Sequence, residues 1–326
     1  MTNPIIFDIK RYAINDGPGI RTTIFFSGCP LHCVWCHNPE SWELRPHKTY
    51  KATKCIGCGS CIAACQQRAI NFVSVSGSNG PATAGTSLAG RVMPVEGVEC
   101  LRCGQCADAC PTLALEMCGR EWTFDELMAE IEKERIIMED SGGGVTLCGG
   151  EPLLQHDAAL AVLRELGRRG LHRTVDTTLY AAPAIVEQVA RHCELMLVDL
   201  KIMDCNRHQQ LTGVKNDVIL SNIHLLAQTG TPFFLRIPLI DGVNADDQNI
   251  EATARFAETL LQHDGSAQSL LGINLLPYHD VGRDKHRRLW TTYNPEALSM
   301  STPSDELLQH CASIFAAHGL KATVGG

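Results

Sequence analysis

The chain has 326 residues, of which 44% are hydrophobic and 20% are charged, and its formal net charge is −8. This length can bury a large core in two domains, or in one barrel-sized domain with an appendage. The acidic balance argues against nucleic acid or anionic membrane as the main partner. The first residues lack the pattern of a signal peptide, and no apolar run approaches the roughly 18 residues of a transmembrane helix. We therefore expect a soluble, cytoplasmic protein without a nucleic-acid or membrane partner.

Cysteine is the unusual part of the composition, with 16 residues. In a reducing compartment, closely spaced thiols indicate metal binding or catalysis rather than disulfides. Three tight groups stand out, namely Cys29/Cys33/Cys36, Cys55/Cys58/Cys61/Cys65 and Cys100/Cys103/Cys106/Cys110. The others are scattered, and we expect core roles for them because free cysteine behaves as a small hydrophobe; they are Cys118, Cys148, Cys193, Cys205 and Cys311.

The first cysteine group follows a predicted strand. Residues 22–27 are mostly β-branched or aromatic and end at Gly28, so the C-x3-C-x2-C loop lies at the carboxyl end of that strand. Open α/β sheets and α/β barrels place their chemistry at this end. Three thiolates can bind three irons of a 4Fe–4S cluster, whereas a protein-only site needs four. The loop therefore predicts a cluster with one iron open to a small molecule, and Trp35 can pack beside that cluster or beside a flat base.

Residues 48–117 contain two copies of the bacterial ferredoxin run C-x2-C-x2-C-x3-C. In such modules the fourth cysteine serves the other cluster. We therefore predict one cluster on Cys55, Cys58, Cys61 and Cys110, and another on Cys100, Cys103, Cys106 and Cys65. Zinc is the alternative, because paired C-x2-C spacings also build zinc ribbons. The stretch between Ser74 and Gly90 is rich in small residues and predicts a flexible surface loop.

From Thr123 onward, helices and strands alternate. Thr123 and Glu126 form a capping-box pattern that predicts a helix reaching about residue 139. Further strands are predicted at 144–148, 172–177, 195–201, 232–239 and 272–277, and helices at 158–168, 182–191, 218–228, 249–262 and from a cap at 302–305 to before Gly319. The apolar strands indicate a parallel sheet covered on both faces. With the first strand, this makes six βα units, too few for an eight-stranded barrel.

The C-x3-C-x2-C loop resembles the cluster motif of radical S-adenosylmethionine (SAM) enzymes. The stretches 15–22 (NDGPGIRT), 36–40 (CHNPE) and 149–152 (GGEP) resemble those of one branch of these enzymes, the activating enzymes of glycyl radical enzymes. The resemblance implies an α/β fold, a partial (β/α)6 barrel of residues 1–47 and 118–326, interrupted by a ferredoxin-like two-cluster insert of residues 48–117. It also implies three 4Fe–4S clusters, with SAM chelating the open iron of the first.

Candidate cofactor contacts lie at the strand ends. Gly149 and Gly150 allow close approach of a ligand to the backbone, and with Glu151 they form the motif that the resemblance places at the SAM ammonium group. From the residues alone, this motif could also be only a turn.

By the same resemblance, Asp176, Thr177 and Asp199 bind a monovalent cation near SAM, with Lys201 near the SAM carboxylate. Helix capping is the alternative role for the two acidic residues.

The last two strands end in Arg236 and His279, which the resemblance places at the carboxylate or ribose of SAM. A structural ion pair is the alternative for Arg236. We expect solvated or core roles for His32, His37 and His286, and Asp16 is a candidate contact to the partner's glycine loop.

The function implied by the resemblance is that of an oxidoreductase that reductively cleaves SAM to methionine and a 5′-deoxyadenosyl radical. This radical takes a hydrogen atom from a backbone glycine of a partner glycyl radical enzyme, of the dehydratase, decarboxylase, or carbon–nitrogen or carbon–sulfur lyase type. The insert clusters then relay electrons from a ferredoxin or flavodoxin, or help to dock the partner, and the free protein is a monomer. The alternatives are a radical SAM enzyme acting on another peptide or small molecule, and a ferredoxin-type electron carrier.

Overall fold

A computed structural model of the chain describes residues 2–74, 90–261, 269–291, 293 and 298–325. The strands are β1 (Ile5–Ala13), β2 (Arg21–Phe26), β3 (His47–Tyr50), β4 (Ile70–Ser74), β5 (Gly90–Pro94), β6 (Leu115–Cys118), β7 (Arg120–Glu121), β8 (Gly144–Gly149), β9 (His172–Thr177), β10 (Leu195–Asp199), β11 (Phe233–Leu239), β12 (Leu270–Pro277) and β13 (Ala322–Val324). The helices are α1 (Ser60–Ala64), α2 (Gln105–Asp108), α3 (Phe124–Glu132), α4 (Arg135–Asp140), α5 (His156–Arg168), α6 (Pro183–Ala190), α7 (Cys205–Thr212), α8 (Asp217–Thr229), α9 (Asp247–Thr259), α10 (Arg283–Arg288) and α11 (Asp305–Ala317). The loop predicted between Ser74 and Gly90 falls on residues 75–89, outside the described ranges.

Nine strands form one sheet in the order β13-β12-β11-β10-β9-β8-β2-β1-β7. From β2 through β8 to β13 the neighbours are parallel, whereas β1 pairs antiparallel with both β2 and β7. Each parallel strand is added on the same side of the one before it. Because strand–helix–strand connections are right-handed, this order places the connecting helices on one face of the sheet. The carboxyl ends of all the parallel strands meet at the same edge.

All six predicted strands are present, as β2 and β8 to β12, and the four helices predicted between them are α5, α6, α8 and α9. Thr123 and Glu126 make the predicted capping box. The helix predicted to follow it is two helices, α3 and α4, because the backbone leaves the helical region at Glu134 (φ −105°, ψ 8°). The sequence patterns do not predict β1, α7 or β13. In β1 only Ile6 and Ala13 are buried, so this strand lacks the regular burial of every second residue on which a strand prediction depends.

The main core lies between the large sheet and its helices. The buried side chains on α5 are spaced along one stripe and include Leu160, Val162, Leu163 and Leu166, which pack with β-strand residues such as Val145. Fully burying an aliphatic side chain of this size contributes roughly 1.5–3 kcal/mol. No helix in the described ranges is long and apolar enough to cross a membrane.

Residues 47–74 and 90–118 form a smaller region with its own apolar cluster. Here β3 pairs antiparallel with β6, and β4 with β5. The cluster is centred on Tyr50, Val92 and Leu115 and includes some of the cysteines. Trp290, which follows α10, stacks on Tyr50 with ring centroids 5.8 Å apart and donates its Nε1–H to the Val92 carbonyl at 2.9 Å. The C-terminal part of the chain therefore packs directly on the region that carries the eight ferredoxin-type cysteines.

Candidate active site

A cavity of about 840 Å³ opens at the carboxyl ends of the parallel strands. Every thiol of the first group and every predicted cofactor contact except Glu151 lines it: Cys29, Cys33, Trp35, Cys36, Gly149, Gly150, Asp176, Thr177, Asp199, Lys201, Arg236 and His279. These residues lie far apart in the sequence, and the common edge of the parallel strands brings them together.

The cysteine loop is held by backbone hydrogen bonds. At its start the Gly28 amide donates to the Ser41 carbonyl at 2.7 Å. Farther along, the His32 amide donates to the Thr212 carbonyl at 2.8 Å, and the Val34 amide to the Leu211 carbonyl at 3.0 Å. Both carbonyls belong to the last turn of α7, where helix carbonyls have no partner within the helix. Helix α7, which the sequence does not predict, therefore holds the backbone of the cysteine loop in place.

Burial makes the loop thiols poor anions on their own. It raises the pKa of Cys29 well above its usual value, raises that of Cys33, and raises that of Cys36 to about 12. Iron binds the thiolate form of cysteine. The positive charge of the iron must therefore offset the free-energy cost of a buried thiolate. Within the described ranges, no three or more His, Cys, Asp or Glu side chains converge as a single metal ion requires. Three thiols around one cavity instead fit a cubane cluster, in which each thiolate binds a different iron.

The two glycines after β8 pack against the end of β2. Gly149 has a φ of +127°, and a Cβ atom there would lie 2.3 Å from the Phe26 nitrogen. A Cβ atom on Gly150 would lie 2.3 Å from the carbonyl oxygen of Gly28, directly before the cysteine loop. From the sequence, these glycines are expected to allow a close approach of the ligand. In the fold they also allow a close approach between two backbones.

Glu151 lies beneath the cavity wall and is 0% exposed. Its carboxylate accepts hydrogen bonds from the Thr177 hydroxyl at 2.6 Å, from the hydroxyl and amide of Thr178 at 2.6 and 2.8 Å, and from the Leu153 amide at 3.1 Å. Burial raises the pKa of Glu151, and these hydrogen bonds act in the opposite direction. Glu151 therefore contacts the protein itself and fixes Thr177 and Thr178 where they line the cavity.

Two ion pairs lie near the ends of β9 and β10, and the Arg236 of one pair lies within β11 (Phe233–Leu239) rather than at its end. Arg236 Nη1 is 3.0 Å from Asp176 Oδ2, and Lys201 Nζ is 2.6 Å from Asp199 Oδ2. Burial raises the pKa of Asp176 to about 7, although the charge of Arg236 acts against this shift. Burial also acts to lower the pKa of Lys201, but the neighbouring acidic groups, Asp199 foremost, together outweigh it, so this pKa is raised. Each acid predicted to bind a cation thus has a cationic side chain beside it.

The histidines differ in their placement. His37, for which we expect a solvated or core role, lines the cavity and stacks on His279, with ring centroids 4.5 Å apart and an interplanar angle of 17°. Burial lowers the pKa of His37 to about 4, and its Nε2–H donates to the His279 carbonyl at 2.7 Å. His286 is 1% exposed and donates from Nε2 to the Cys36 carbonyl at 3.0 Å, so it supports the cysteine loop. The only sequence signal for His37 is its position directly after Cys36.

The segment 15–21 packs on β2 and β8. Asn15 lines the cavity, whereas the Asp16 carboxylate accepts a hydrogen bond from the Thr23 hydroxyl at 2.6 Å. Arg21 is 0% exposed, and its guanidinium contacts the backbone and hydroxyl groups of its neighbours. Asn15 is thus closer to the cavity than the Asp16 carboxylate that the sequence analysis singles out.

Cys148 also lines the cavity, although the sequence analysis gives it a core role. Its side chain is buried, and burial raises its pKa well above the usual value. Its thiol is carried by β8, where Cys148 pairs with Phe25 of β2, and Asp176, Asp16 and Arg236 are the charges that act most strongly on it. Cys148 therefore belongs to the strand side of the cavity.

The eight thiols of the smaller region fall into two separate sets. One cavity is lined by Cys65, Cys100, Cys103 and Cys106, and a second by Cys55, Cys58, Cys61 and Cys110. In each set, the fourth cysteine of one run joins the first three of the other. The structure thus groups the thiols in the same way as the sequence analysis.

Two protein families match the chain. The family described as "4Fe-4S dicluster domain" matches residues 54–114, and the family described as "Radical SAM superfamily" matches residues 101–257. The first match spans both ferredoxin-type runs, and the second spans β8 to β11 with their strand-end residues.

Several characterised relatives match over nearly their whole length. The trans-4-hydroxy-L-proline dehydratase activating enzyme of Clostridioides difficile is 39% identical over 99% of this chain and 100% of its own. The choline trimethylamine-lyase activating enzyme of Oleidesulfovibrio alaskensis is 37% identical over 94% of each chain. The benzylsuccinate synthase activating enzyme of Thauera aromatica is 34% identical over 100% of this chain and 94% of its own.

Among solved structures, a domain of pyruvate-formate lyase-activating enzyme from Bacteroides vulgatus is 44% identical over 56% of this chain and 99% of that chain, with a TM-score of 0.47. The family matches and the full-length relatives agree with the motifs and with the cavity that the loop thiols line. The chain belongs to the radical SAM superfamily and, within it, to the activating enzymes of glycyl radical enzymes.

Proposed function

We propose that this chain forms a glycyl radical on a partner enzyme, using SAM bound at the Cys29/Cys33/Cys36 site. One observation carries the proposal: the three loop thiols and the charged strand ends line the same cavity. A cluster and a nucleotide that react together must share one site. A cavity of about 840 Å³ is toward the upper end of the roughly 300–1,000 Å³ of ligand pockets, which supports room for both SAM and a peptide segment.

The cofactors supply the electron and the carbon radical, and the chain supplies binding, orientation and exclusion of water. In this proposal Cys29, Cys33 and Cys36 hold the cluster, and Trp35, which is 5% exposed, packs beside it. The backbone at Gly149 and Gly150 receives the ammonium group of SAM. Glu151 is a positioning residue, because all its contacts are to the protein.

The strand-end charges suit a ligand that carries both positive and negative groups. Arg236 and Lys201 offer cations to the SAM carboxylate, and Asp176 and Asp199 offer carboxylates to its positive groups. In each pair the cation faces a carboxylate, so the charges of the four side chains balance. A monovalent cation at Asp176, Thr177 and Asp199 would have to share carboxylates that Arg236 and Lys201 already contact. We therefore propose the two side chains as the main counter-charges.

The aromatic wall made by His37 and His279 offers a flat surface for the ribose or the base of SAM. The substrate is the backbone of a glycine in the partner protein. Glycine suits this role because its α-radical is delocalised into the flanking amides and is unhindered by a side chain. The substrate must therefore enter as a segment of chain, past the residues around Asn15 at the cavity wall.

The proposed architecture is a partial (β/α)6 barrel of residues 1–47 and 118–326 that carries a ferredoxin-like insert of residues 48–117. The consecutive order of the parallel strands supports the barrel, and in the described ranges the sheet ends at β7 and β13 without closing. The structure adds β13 as a further parallel strand beyond the six predicted. The β3–β6 ladder, which pairs His47 with Cys118, supports the insert boundaries.

The names of the relatives support a partner of the dehydratase, decarboxylase or lyase type. The insert thiols support three 4Fe–4S clusters in all and a ferredoxin or flavodoxin as electron donor. We propose a cytoplasmic protein that is a monomer when free.

The test is an anaerobic reaction of the reconstituted protein with a reductant, SAM and a candidate partner. We expect 5′-deoxyadenosine and a glycine-centred doublet in the electron paramagnetic resonance (EPR) spectrum of the partner. Deoxyadenosine without a doublet on any partner of these types would favour a radical SAM enzyme with another substrate. Cys33→Ala is expected to abolish SAM cleavage, and retained cleavage would refute the assignment of the cluster.

A further inference from the structure

We propose that Cys65, Cys100, Cys103 and Cys106 form the inner of the two insert sites, so that an electron bound for the Cys29/Cys33/Cys36 site leaves the insert from them. This inference rests on the proposed function of the cysteine loop. It assigns an order to the two thiol sets, which the near-symmetric repeats in the sequence do not reveal.

The β3–β6 ladder sets the order of the two sets relative to the large sheet. The ladder begins at the His47–Cys118 pair, and next to it a Cβ atom on Gly119 would lie 3.2 Å from the Ser27 hydroxyl, at the end of β2. The next pair is Lys48 with Met117.

Lys48 and Met117 line the cavity of the Cys65/Cys100/Cys103/Cys106 set. The last pair, Tyr50 with Leu115, lines the cavity of the other set. Because each residue advances a strand by about 3.3 Å, the second set lies farther along the ladder from β2.

A smaller cavity of about 260 Å³ lies between the inner set and the cysteine loop. It is lined by Cys100 and Arg102 on one side and by His32 and Trp42 on the other. Cysteines of the Cys55/Cys58/Cys61/Cys110 set do not line it.

Arg102 lies between Cys100 and Cys103 in the sequence, and its Nη2 is 2.8 Å from the Glu43 carboxylate. Glu43 directly follows Trp42. The loop that carries Cys100 is therefore attached to the segment that follows the first cysteine group.

Trp42 and His286 complete the connection to the cysteine loop. The Trp42 ring lies 5.0 Å from the ring of His32 and 5.4 Å from that of His286. His286 donates to the Cys36 carbonyl at 3.0 Å, and the Cys29 amide donates to the Trp42 carbonyl at 3.4 Å. Packed aromatic rings thus connect the cavity at Cys100 with the backbone of the loop.

One electron passes from the inner site, which is oxidised by one electron, to the site of the cysteine loop, which is reduced by one electron, and no proton needs to move. A low-potential one-electron protein carrier supplies the electron to the insert. Trp42 and His286 are positioning residues in this step, because they hold the two thiol-bearing loops together.

The test compares two equivalent cysteine variants, Cys103→Ser and Cys58→Ser. Both thiols are exposed and are the second cysteine of their run, so the substitutions are matched. The iron content of each reconstituted variant is measured, and the variant is then reduced. Pulsed EPR measures the spin relaxation of the cluster at the cysteine loop. The signal of this cluster is identified by the shift that SAM causes in it. We expect the enhancement of relaxation by a neighbouring cluster to be lost in Cys103→Ser and kept in Cys58→Ser. Loss in Cys58→Ser, or in neither variant, would overturn the proposal.

A second set of variants leaves all thiols in place, in case a cysteine variant disrupts the whole insert. Arg102→Glu should repel Glu43 and weaken the magnetic coupling, and the charge swap Arg102→Glu with Glu43→Arg should restore it. Ile56→Glu is the control, because Ile56 is 58% exposed and lies between Cys55 and Cys58 of the other run. Unchanged coupling in Arg102→Glu, or weakening only in Ile56→Glu, would contradict the proposal. The shift caused by SAM reports separately on the proposed function, since it does not depend on the order of the insert sites.

Discussion

The buried guanidinium of Arg21 donates a hydrogen bond from Nε to the Thr146 hydroxyl at 2.7 Å. That hydroxyl in turn donates to the Asp16 carbonyl at 2.7 Å. Arg21 also donates to the carbonyls of Pro18 and Val145, at 2.9 and 2.8 Å. Burial lowers the pKa of Arg21 to about 10, since its hydrogen-bond partners are neutral. One cation thus fastens the segment 15–20 to β8, and Asn15 of that segment reaches the cavity.

Replacing Arg21 by Met is expected to lower the free energy of unfolding by about 2–4 kcal/mol, because buried carbonyls and a hydroxyl lose their donor. Denaturant unfolding under anaerobic conditions measures the change. Arg191→Met is the control, because its side chain is 70% exposed, and it should change stability by no more than about 0.5 kcal/mol. Equal effects of the two substitutions would show that Arg21 is not an anchor.

Gly150→Ala is expected to impair assembly of the first cluster. The added Cβ atom would lie 2.3 Å from the Gly28 carbonyl oxygen, so the start of the cysteine loop must move. Iron content and the SAM-dependent EPR signal measure the result. Gly230→Ala is a control for backbone strain alone, because its φ is +78° and a Cβ atom there meets nothing within 4 Å. That control should cost about 1 kcal/mol of stability and leave the cluster intact. A normal cluster signal in Gly150→Ala would contradict the packing argument.

Glu151→Gln is expected to weaken SAM binding and to destabilise the fold by about 1–3 kcal/mol. An amide has only one acceptor oxygen, whereas the carboxylate accepts from Thr177 through one oxygen and from Thr178 through the other. Equilibrium binding of SAM to the reconstituted variant and its unfolding curve give the two values. Since Glu151 is not at the cavity surface, iron content should stay at the wild-type level. Loss of iron together with SAM binding would instead indicate that Glu151 acts on the cluster.

Cys148→Ser is expected to leave the first cluster and its open iron unchanged. Cys148 lines the cavity, but it lies within β8, paired with Phe25 of β2, and not on the loop that carries the other three thiols. Mössbauer or EPR spectra with and without SAM should match those of the wild type. If the variant instead lost iron at this site, or gained a SAM response that the wild type lacks, Cys148 would be a fourth ligand and the functional proposal would fail.

The pair of helices α9 and α11 provides a pH test away from the cavity. His318 Nδ1 lies 2.9 Å from the Glu258 carboxylate and Nε2 lies 3.1 Å from that of Glu251, and these hydrogen bonds raise the pKa of His318. A raised histidine pKa means that the folded state holds the proton more tightly. The added stability is therefore complete below about pH 6.5 and is lost as the pH rises through the raised value.

Thermal unfolding should accordingly show a larger difference between the wild type and His318→Gln at pH 6 than at pH 9. Glu258→Gln should remove part of the same pH dependence. A difference that is constant with pH would contradict this assignment.

Local sequence patterns predict the strands that form the site. The apolar runs before Cys29, Gly149, Asp176 and Lys201 are long enough to predict strands. Parallel strands place the residues that follow them at the same edge of the sheet. The same patterns do not reveal α7, whose last carbonyls hold the cysteine loop, because that helix has few apolar residues at helical spacing. These patterns also do not show that Glu151 is buried beneath the cavity wall, whereas Gly149 and Gly150 line the cavity.

The sequence by itself determined which chemistry this chain carries, because the spacing of cysteines along a loop decides which irons they can reach and needs no distant contact. Only the tertiary structure decided which side chains share the cavity and which set of insert thiols lies nearer to it. Stacked His37 and His279, the Asp176–Arg236 ion pair and the ladder from His47 to Tyr50 all join residues that are remote in sequence or equivalent in the two repeats. Strand order and packing determine which of these residues become neighbours, and the local spacing of residues in the sequence does not encode either.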